Sequence, residues 1–218
     1  GWMKMKNKIL RNSLMGVLAI TLISGIFIPA AAAREKKNIK EIQGLVAVKD
    51  IDPTITVDLR YATEDNFTEK KIYPYAIAIL RRETAEKLAA ANKKFHEDGF
   101  GLKLWDAYRP PSVQKIFWEL VPDERYVANP SKEGSRHNRG GAVDVTLVDS
   151  FGREVPMPTK FDDFSENASV HSIMVSAEGK TNANYLAKVM TQSGFDIYEH
   201  EWWHFDDRNW KDFPLVDV

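Results

Sequence analysis

The spacing of apolar and polar residues predicts both strands and helices along the chain. Residues 54–61 alternate between apolar and polar positions, as a half-buried strand does. Residues 101–107, 142–148 and 195–198 predict three further strands. Because the strands and helices do not alternate as regular βαβ units, we expect a single α+β domain with a central, mainly antiparallel sheet flanked by helices.

Three segments have the apolar spacing of helices. Residues 83–98 and 182–193 predict helices that end at Gly99 and Gly194. A further helix is expected to begin at the Pro110-Pro111 pair, because proline suits the first helical turn. Its predicted apolar stripe consists of Val113, Ile116, Phe117 and Leu120.

The N-terminal residues predict a secretory signal peptide over residues 1–33. Basic residues precede an apolar run of about 15 residues at 14–28, and small residues then offer a cleavage site. A membrane anchor is the alternative, but the run is shorter than the roughly 20 residues that a spanning helix needs. We therefore expect export to the bacterial envelope or periplasm and no membrane span in the mature form. Residues 34–45 would form a loose leader and residues 46–218 the folded domain.

Charge and cysteine content restrict the class of protein. The 218 residues are 44% apolar and carry a net charge of −1, which argues against nucleic acid as a partner. Residues 1–33 contain four basic and no acidic side chains, so the mature chain would have 26 basic and 31 acidic ones, about −5. The chain has no cysteine. Its stability therefore depends on its core and on any bound metal rather than on disulfides.

Two segments in the C-terminal half carry the candidate chemistry. The first reads S-R-H-N-R-G-G-A-V-D from Ser135, and the second reads E-W-W-H from Glu201. Together they offer His137, Asp144 and His204 as metal ligands. A hydrolytic zinc site needs three such ligands and an open position for water. Glu201, close to the last histidine, is the candidate base that takes a proton from water.

An ordinary structural role is the alternative for each of these residues. A single histidine is more often a hydrogen-bonded polar group than a ligand, and Asp144 alone would suit a turn. We adopt that interpretation for His96, His171 and His200, which have no partner at ligand spacing. We also expect Trp202 to be a core aromatic. For the two-histidine, one-carboxylate set, the joint occurrence of both segments favours a metal site.

The same two segments resemble a known enzyme family. The patterns S-x-H-x-x-G-x-A-x-D and E-x-W-H are complete. Further segments at 61–67, 105–110 and 155–162 are similar to the D-alanyl-D-alanine dipeptidases, the VanX-like branch of the zinc D,D-peptidases of family M15. The similarity covers residues 46–213. It implies a fold shared with Hedgehog-type domains, one zinc ion per chain and a small dipeptide as substrate.

The resemblance implies a catalytic role for Arg109. Its guanidinium would face the scissile carbonyl oxygen and stabilise the oxyanion, which is often the largest single catalytic effect. A structural salt bridge at the end of a strand is the alternative. Arg136 departs from the family pattern, in which a small residue is expected, and predicts a different pocket rim.

The resemblance also assigns the two charged ends of a dipeptide. Asp162 matches the carboxylate that receives the free ammonium group, with Tyr61 and Phe117 lining that end. Ser135 and Tyr75 match the residues that hold the free carboxylate by hydrogen bonds. A dipeptidase must pair both charges, because burying either one alone costs several kcal/mol.

These features favour an exported zinc dipeptidase that hydrolyses D-Ala-D-Ala to two D-alanines in cell-wall peptide turnover or scavenging. A D,D-carboxypeptidase or endopeptidase acting on wall peptides would keep the fold and the metal. Such an enzyme would not need Asp162 as a receptor for a substrate ammonium group. A non-catalytic, zinc-containing binding domain is a third possibility, against which Glu201 and Arg109 both argue.

Overall fold

The computed structural model describes residues 40–218; the predicted signal peptide and residues 34–39 of the predicted leader lie outside that range. The helices and strands are β1 Glu41–Ile42, β2 Leu45–Ala47, α1 Val48–Ile51, β3 Thr56–Val57, β4 Ile79–Arg81, α2 Arg82–Glu97, β5 Gly101–Asp106, α3 Pro111–Leu120, β6 Ala142–Val148, α4 Ala177–Gln192, β7 Phe195–Tyr198 and β8 Glu201–Asp207. Short 3₁₀ turns occur at Arg60–Ala62, Arg136–Arg139, Glu166–Ala168 and Trp210–Asp212. Within residues 40–218, none of the helices is long and apolar enough to cross a membrane.

A five-stranded sheet in the order β3-β5-β6-β8-β7 carries the site. The short β3 lies parallel to β5, whereas all the other neighbours in this sheet are antiparallel. The prediction of an α+β fold with a mainly antiparallel sheet is therefore confirmed. The register places Asp106 of β5 opposite Asp144 of β6, and Asp144 opposite His204 of β8. One row across three strands thus brings these polar side chains together.

The two long helices cover the sheet. Helix α2 packs against α4 and β5, and α4 packs against β7 and β8. The buried side chains of these helices include Leu88 and Phe95 of α2 and Leu186 and Met190 of α4. All seven residues of β6 and all seven of β8 are buried. In β6 the core residues Val143, Val145 and Leu147 alternate with Asp144 and Thr146, so one face of the strand packs in the core and the other carries Asp144 to the site.

A second, three-stranded sheet in the order β1-β2-β4 lies at the start of the described chain. The expectation of a loose leader was wrong for residues 41–45, which form β1, a turn at 43–44 and the first residue of β2. Leu45 is only 2% exposed and packs with Tyr108 and Val216. This apolar contact with the C-terminal residues orders the segment, so the fold begins before residue 46.

The predicted strand over residues 54–61 is mostly absent, since only Thr56–Val57 pairs with the sheet. The sequence continues to alternate as far as Tyr61. However, the backbone carbonyl of Tyr61 accepts hydrogen bonds from the N–H groups of Ile72 and Tyr73 at 2.8 and 2.7 Å. These bonds take the chain out of the sheet, and tertiary pairing overrides the local pattern.

Helix α3 forms where the proline pair predicts it, but its buried stripe differs from the predicted one. Ile116 and Leu120 are 40% and 55% exposed, whereas the polar Gln114 is fully buried. The Gln114 side chain accepts a hydrogen bond from Arg109 at 2.9 Å and donates one to the carbonyl of Ala128 at 2.7 Å. The hydrogen-bonded side-chain amide of Gln114 therefore occupies the buried position on this helix and contacts Arg109 of the site.

The remaining helix predictions agree with the structure apart from one boundary. Helix α2 ends before Gly99, whose φ of +84° suits glycine. Helix α4 begins at Ala177, five residues before the predicted start. Its cap is Ser176, whose Oγ accepts a hydrogen bond from the N–H of Gly179 at 3.0 Å.

Candidate metal centre and active site

One cleft holds nine of the ten residues predicted for the site. They are Tyr61, Arg109, Phe117, Ser135, His137, Asp144, Asp162, Glu201 and His204. Tyr75 is the exception, because its side chain is 73% exposed and does not line the cleft. The chain bends at Pro74 and Tyr75, and the assignment of this tyrosine to substrate binding stays a prediction.

Three elements deliver the candidate metal ligands. Asp144 lies on β6 directly opposite His204 on β8. His137 lies in the 3₁₀ turn Arg136–Arg139 that precedes β6. A capping box holds this turn: the Ser135 hydroxyl accepts from the N–H of His137, and the Asn138 side chain accepts from the N–H of Ser135.

A glycine closes the turn before β6. Gly140 has a φ of +68°, and a Cβ atom there would lie 2.5 Å from the Leu45 side chain and 3.0 Å from the backbone nitrogen of Arg81. Only glycine therefore fits both the conformation and the space. This close approach fixes where His137 sits relative to the β6 strand.

The three candidate ligand atoms form a small triangle. His204 Nδ1 lies 3.0 Å from Asp144 Oδ1 and 3.3 Å from His137 Nε2. The third edge, from His137 Nε2 to Asp144 Oδ1, is 3.5 Å. Ligands placed tetrahedrally at about 2.0–2.1 Å from zinc lie about 3.3 Å apart. The side chains therefore already have the spacing of a tetrahedral metal site, and all three are buried.

Hydrogen bonds on the far side of each imidazole leave the inner nitrogens free for a metal. His137 Nδ1 lies 2.6 Å from the carbonyl oxygen of Ala107, to which it must donate. His204 Nε2 lies 2.9 Å from Asp206 Oδ1 and donates to that carboxylate. In the neutral form of each ring, these bonds place the proton on the outer nitrogen and the lone pair toward the triangle, the usual support of metal-binding histidines.

The electrostatic environment of His204 suits a cation. Burial alone would lower its pKa, but the carboxylates of Asp206 and Asp144 outweigh burial and raise the pKa of His204 to about 10. Two carboxylates around one imidazole therefore favour positive charge at this place, whether a proton or a metal ion supplies it.

Glu201 reaches the same cleft through an irregularity in β8. On a regular strand, residues 201 and 204 would point to opposite faces. Ile197 pairs with Phe205, but the next residue, Tyr198, pairs with Glu201, so β8 bulges between these pairs. As a result, Glu201 Oε2 lies 3.9 Å from His204 Nδ1. Burial raises the pKa of Glu201 well above its ordinary value, as expected for a group that holds and releases a proton.

Arg109 is held rigidly at the side of the cleft. Its Nε and Nη2 donate to Asp106 Oδ2 at 3.0 and 2.7 Å, and its Nη1 donates to Gln114. Its guanidinium carbon lies 4.7 Å from the centre of the Phe117 ring. The structural salt bridge considered from the sequence is present, but it uses only three of five N–H donors. The guanidinium also lines the cleft, where its Nη2 lies 3.9 Å from Asp144 Oδ2.

Asp162 lies at another part of the cleft, where its carboxylate accepts a hydrogen bond from a tyrosine hydroxyl. The Tyr61 hydroxyl donates to Asp162 Oδ1 and lies 3.2 Å from Oδ2. Burial raises the pKa of Asp162 to about 8, against the opposing effect of the Tyr61 hydrogen bond. Its φ is +58°, an unusual conformation for aspartate. A buried carboxylate with one neutral partner is a favourable receptor for a cation.

Trp202 is a core aromatic, as expected, and the three remaining histidines lie away from the cleft. Trp202 is 1% exposed and donates from Nε1 to Thr159. His96, His171 and His200 do not line the cleft. They are not part of the metal-binding group found among the described residues.

Comparison with known proteins identifies the family. A family model described as D-ala-D-ala dipeptidase, of peptidase family M15, matches residues 41–212. The D-alanyl-D-alanine dipeptidase of Escherichia coli (strain K12) is 34% identical over 172 residues, which cover 79% of this chain and 89% of that protein. The chain belongs to the D-Ala-D-Ala dipeptidase family.

Other family members and one solved structure are similar to the chain. The D-alanyl-D-alanine dipeptidase of Enterococcus faecium is 32% identical over 199 residues, which cover 79% of this chain and 98% of that protein. A solved LD-carboxypeptidase, LdcB, has a TM-score of 0.41 and 19% identity over 80% of this chain and 86% of that chain. The family membership rests on the sequence matches.

Several residues that shape this dipeptidase-family site were missed by sequence reasoning. Asp106 anchors Arg109 and also accepts a hydrogen bond from Tyr73 at 2.7 Å. Asp206 holds His204, and Tyr198 places its ring 5.6 Å from the His204 ring. These partners have no spacing signature, because they act through contacts that only the fold creates.

Proposed function

We propose that the protein is an exported zinc dipeptidase that hydrolyses D-Ala-D-Ala to two D-alanines in cell-wall peptide turnover or scavenging. The observation that carries the proposal is the triangle of His137, Asp144 and His204. It lies within one cleft that also holds Glu201 and Arg109. A binding domain would need neither a buried proton carrier nor a preorganised guanidinium beside its metal ligands.

Zinc is the proposed ion because of the ligand set. Two neutral imidazoles and one carboxylate, with hydrogen bonds behind both rings, suit zinc and leave a fourth position open. When bound, zinc would supply Lewis acidity, polarising the scissile carbonyl and favouring loss of a proton from water. His137 would ligate through Nε2, His204 through Nδ1 and Asp144 through Oδ1.

Glu201 moves the proton in this proposal. Its carboxylate takes a proton from the attacking water, and the resulting carboxylic acid delivers that proton to the leaving amine nitrogen. The burial that raises the pKa of Glu201 lets the side chain hold a proton between these steps. The distance of 3.9 Å to His204 Nδ1 keeps it beside the ligands while leaving room for water.

Arg109 stabilises negative charge on the carbonyl oxygen. Asp106 and Gln114 fix the guanidinium before substrate arrives, so little reorganisation is needed as the charge develops. Asp162 receives the substrate's ammonium group, because its buried carboxylate is otherwise bonded only to Tyr61 among the described residues. A dipeptide with a free amino group fits this arrangement.

The test compares three compounds by release of D-alanine: D-Ala-D-Ala, N-acetyl-D-Ala-D-Ala and a wall pentapeptide ending in D-Ala-D-Ala. Acetylation removes the ammonium charge and leaves Asp162 without a cationic partner. The lost binding free energy should be about 2–5 kcal/mol, or roughly two to three orders of magnitude in kcat/KM. Good cleavage of the dipeptide alone supports the proposal. Comparable cleavage of dipeptide and pentapeptide would instead indicate a D,D-carboxypeptidase or endopeptidase.

Export is supported by the basic, apolar and small-residue regions of residues 1–33. Fractionation of cells that make the full chain should locate a processed form in the envelope compartment. Its first residue should lie near Ala33 or Arg34. An unprocessed cytoplasmic protein would refute the proposed location and leave the proposed chemistry untouched.

A further inference from the structure

The position of the Arg109 guanidinium depends on the carboxylate of Asp106. Both Nε and Nη2 donate to Asp106 Oδ2, at 3.0 and 2.7 Å, and the two side chains are 8% and 0% exposed. A buried ion pair is stable only when its geometry is good and further hydrogen bonds satisfy the remaining lone pairs. The groups that hold Asp106 therefore decide where Arg109 points.

A tyrosine hydroxyl holds the other oxygen of this carboxylate. Asp106 Oδ1 accepts from the N–H of Ala107 at 2.9 Å and from the Tyr73 hydroxyl at 2.7 Å. Ala107 is the next residue in the chain, so its N–H fixes the carboxylate only with respect to its own strand. Tyr73 lies 33 residues away and ties the carboxylate to a different segment.

Tyr73 is itself rigidly held and keeps its proton. Its backbone N–H donates to the Tyr61 carbonyl at 2.7 Å, and its ring meets the Tyr61 ring edge-on, with the ring centres 5.7 Å apart. The residue is buried. Burial, together with the charge of Asp106, raises the pKa of Tyr73 well above its ordinary value. The hydroxyl therefore remains a donor to Asp106 at neutral pH.

Two tyrosine–carboxylate pairs thus lie side by side, and they differ in what the carboxylate can contact. The Tyr61 hydroxyl donates to Asp162, and both residues line the cleft. Tyr73 and Asp106 do not line the cleft. A change at Tyr73 can therefore reach a bound substrate only through other residues, and its hydrogen bond to Asp106 leads to Arg109.

We propose that Tyr73 is a positioning residue for the catalytic step: its hydroxyl fixes Asp106, which in turn aims Arg109 at the scissile carbonyl oxygen. The inference rests on the proposed dipeptidase function and on the role proposed there for Arg109. A guanidinium stabilises the charge of the transition state most effectively when it is oriented beforehand. Loss of the Tyr73 hydroxyl should lower kcat and leave KM nearly unchanged, because the transition state loses more stabilisation than the bound dipeptide does.

The experiment measures kcat and KM for D-Ala-D-Ala in the wild type and in Tyr73→Phe, which removes one oxygen and keeps the ring. Both proteins are loaded with zinc, and their metal content is measured. Tyr73→Phe should bind the same amount of zinc, lose about 5- to 50-fold in kcat and change KM by less than about twofold. In an Arg109→Lys background, which lacks the paired N–H bonds to Asp106, Tyr73→Phe should lower kcat by less than about twofold further.

Tyr108→Phe is the matched control, since Tyr108 is also a buried tyrosine outside the cleft, and its hydroxyl donates to the carbonyl of Val216 at 3.0 Å. It should lose comparable folding stability and leave kcat and KM unchanged. An unchanged kcat or a loss of bound zinc in Tyr73→Phe, an equal loss of kcat in the control, or a further loss of full size in the Arg109→Lys background would overturn the inference. Those outcomes leave the dipeptidase function standing. An inactive wild type would overturn both.

Discussion

The carboxylate of Asp206 accepts a hydrogen bond from His204 Nε2 at 2.9 Å, on the side of the ring opposite the other candidate ligands. This bond fixes the tautomer that presents Nδ1 to Asp144 and His137. Asp206 lies two residues beyond His204 on β8 and is itself buried. The ligand and its support therefore come from the same strand.

Asp206→Ala should weaken zinc binding by about 10- to 100-fold, because the His204 ring loses its orientation and its favoured tautomer. Competition against a chromophoric chelator measures the change in affinity directly. Asp196→Ala is the control: Asp196 pairs with Asp206 in register but is exposed and bound to Arg208. Equal zinc affinity in the wild type and Asp206→Ala would show that the bond does not support the metal site.

Glu201→Ala should keep its zinc and lose most turnover. The substitution removes the proton carrier and leaves the three ligands in place, so kcat should fall about 10²- to 10⁴-fold. Metal analysis and kinetics on the same preparation make the comparison. A variant that loses its metal would identify Glu201 as a ligand instead.

The pH dependence of KM should report the titration of Asp162. Burial raises its pKa to about 8, so below that pH the free enzyme holds a proton there that an ammonium group must displace. Above pH 8, KM for D-Ala-D-Ala should rise because the substrate's own α-amino group, with a pKa of about 7.7–8.0, loses its proton. As the pH falls below 8, KM should also rise, by up to about tenfold per unit, because Asp162 takes up a proton. In Asp162→Asn this dependence should disappear while the effects of the other groups remain. A slope that persists below pH 8 in that variant would refute the assignment.

The turn before β6 should not tolerate a side chain at Gly140. Gly140→Ala meets both a positive φ and the atoms of Leu45 and Arg81, whereas Gly152→Ala meets a φ of +79° with nothing within 4 Å. Both should lose about 1–2 kcal/mol of the free energy of unfolding from backbone strain. Gly140→Ala should lose a further ~1–3 kcal/mol from overpacking. Chemical denaturation of both variants tests this, and equal losses would contradict the close approach at Gly140.

The sequence was most informative where local pattern and tertiary context agree. Residues 143–147 alternate between apolar and polar positions, and β6 has the predicted bounds Ala142–Val148. Residues 54–61 alternate equally well, but hydrogen bonds to the Tyr61 carbonyl bend the chain away. No spacing rule anticipates a bond formed across eleven residues of irregular chain.

For the site, motifs located the residues that must have a fixed chemical type, such as His137 and Glu201. They did not locate the residues that hold them. Asp106 and Asp206 act through contacts between segments, which only the sheet register creates. Tyr75 was assigned by resemblance alone, and its exposed side chain does not line the cleft.

The most direct test of the account is the rate of D-alanine release from D-Ala-D-Ala before and after zinc is returned to metal-free protein. Because the three ligand atoms are buried and spaced for one tetrahedral ion, the metal-free protein should be inactive and one zinc per chain should restore activity. His204→Ala, with its ligand removed, should not recover. Full hydrolysis by metal-free protein would contradict the account.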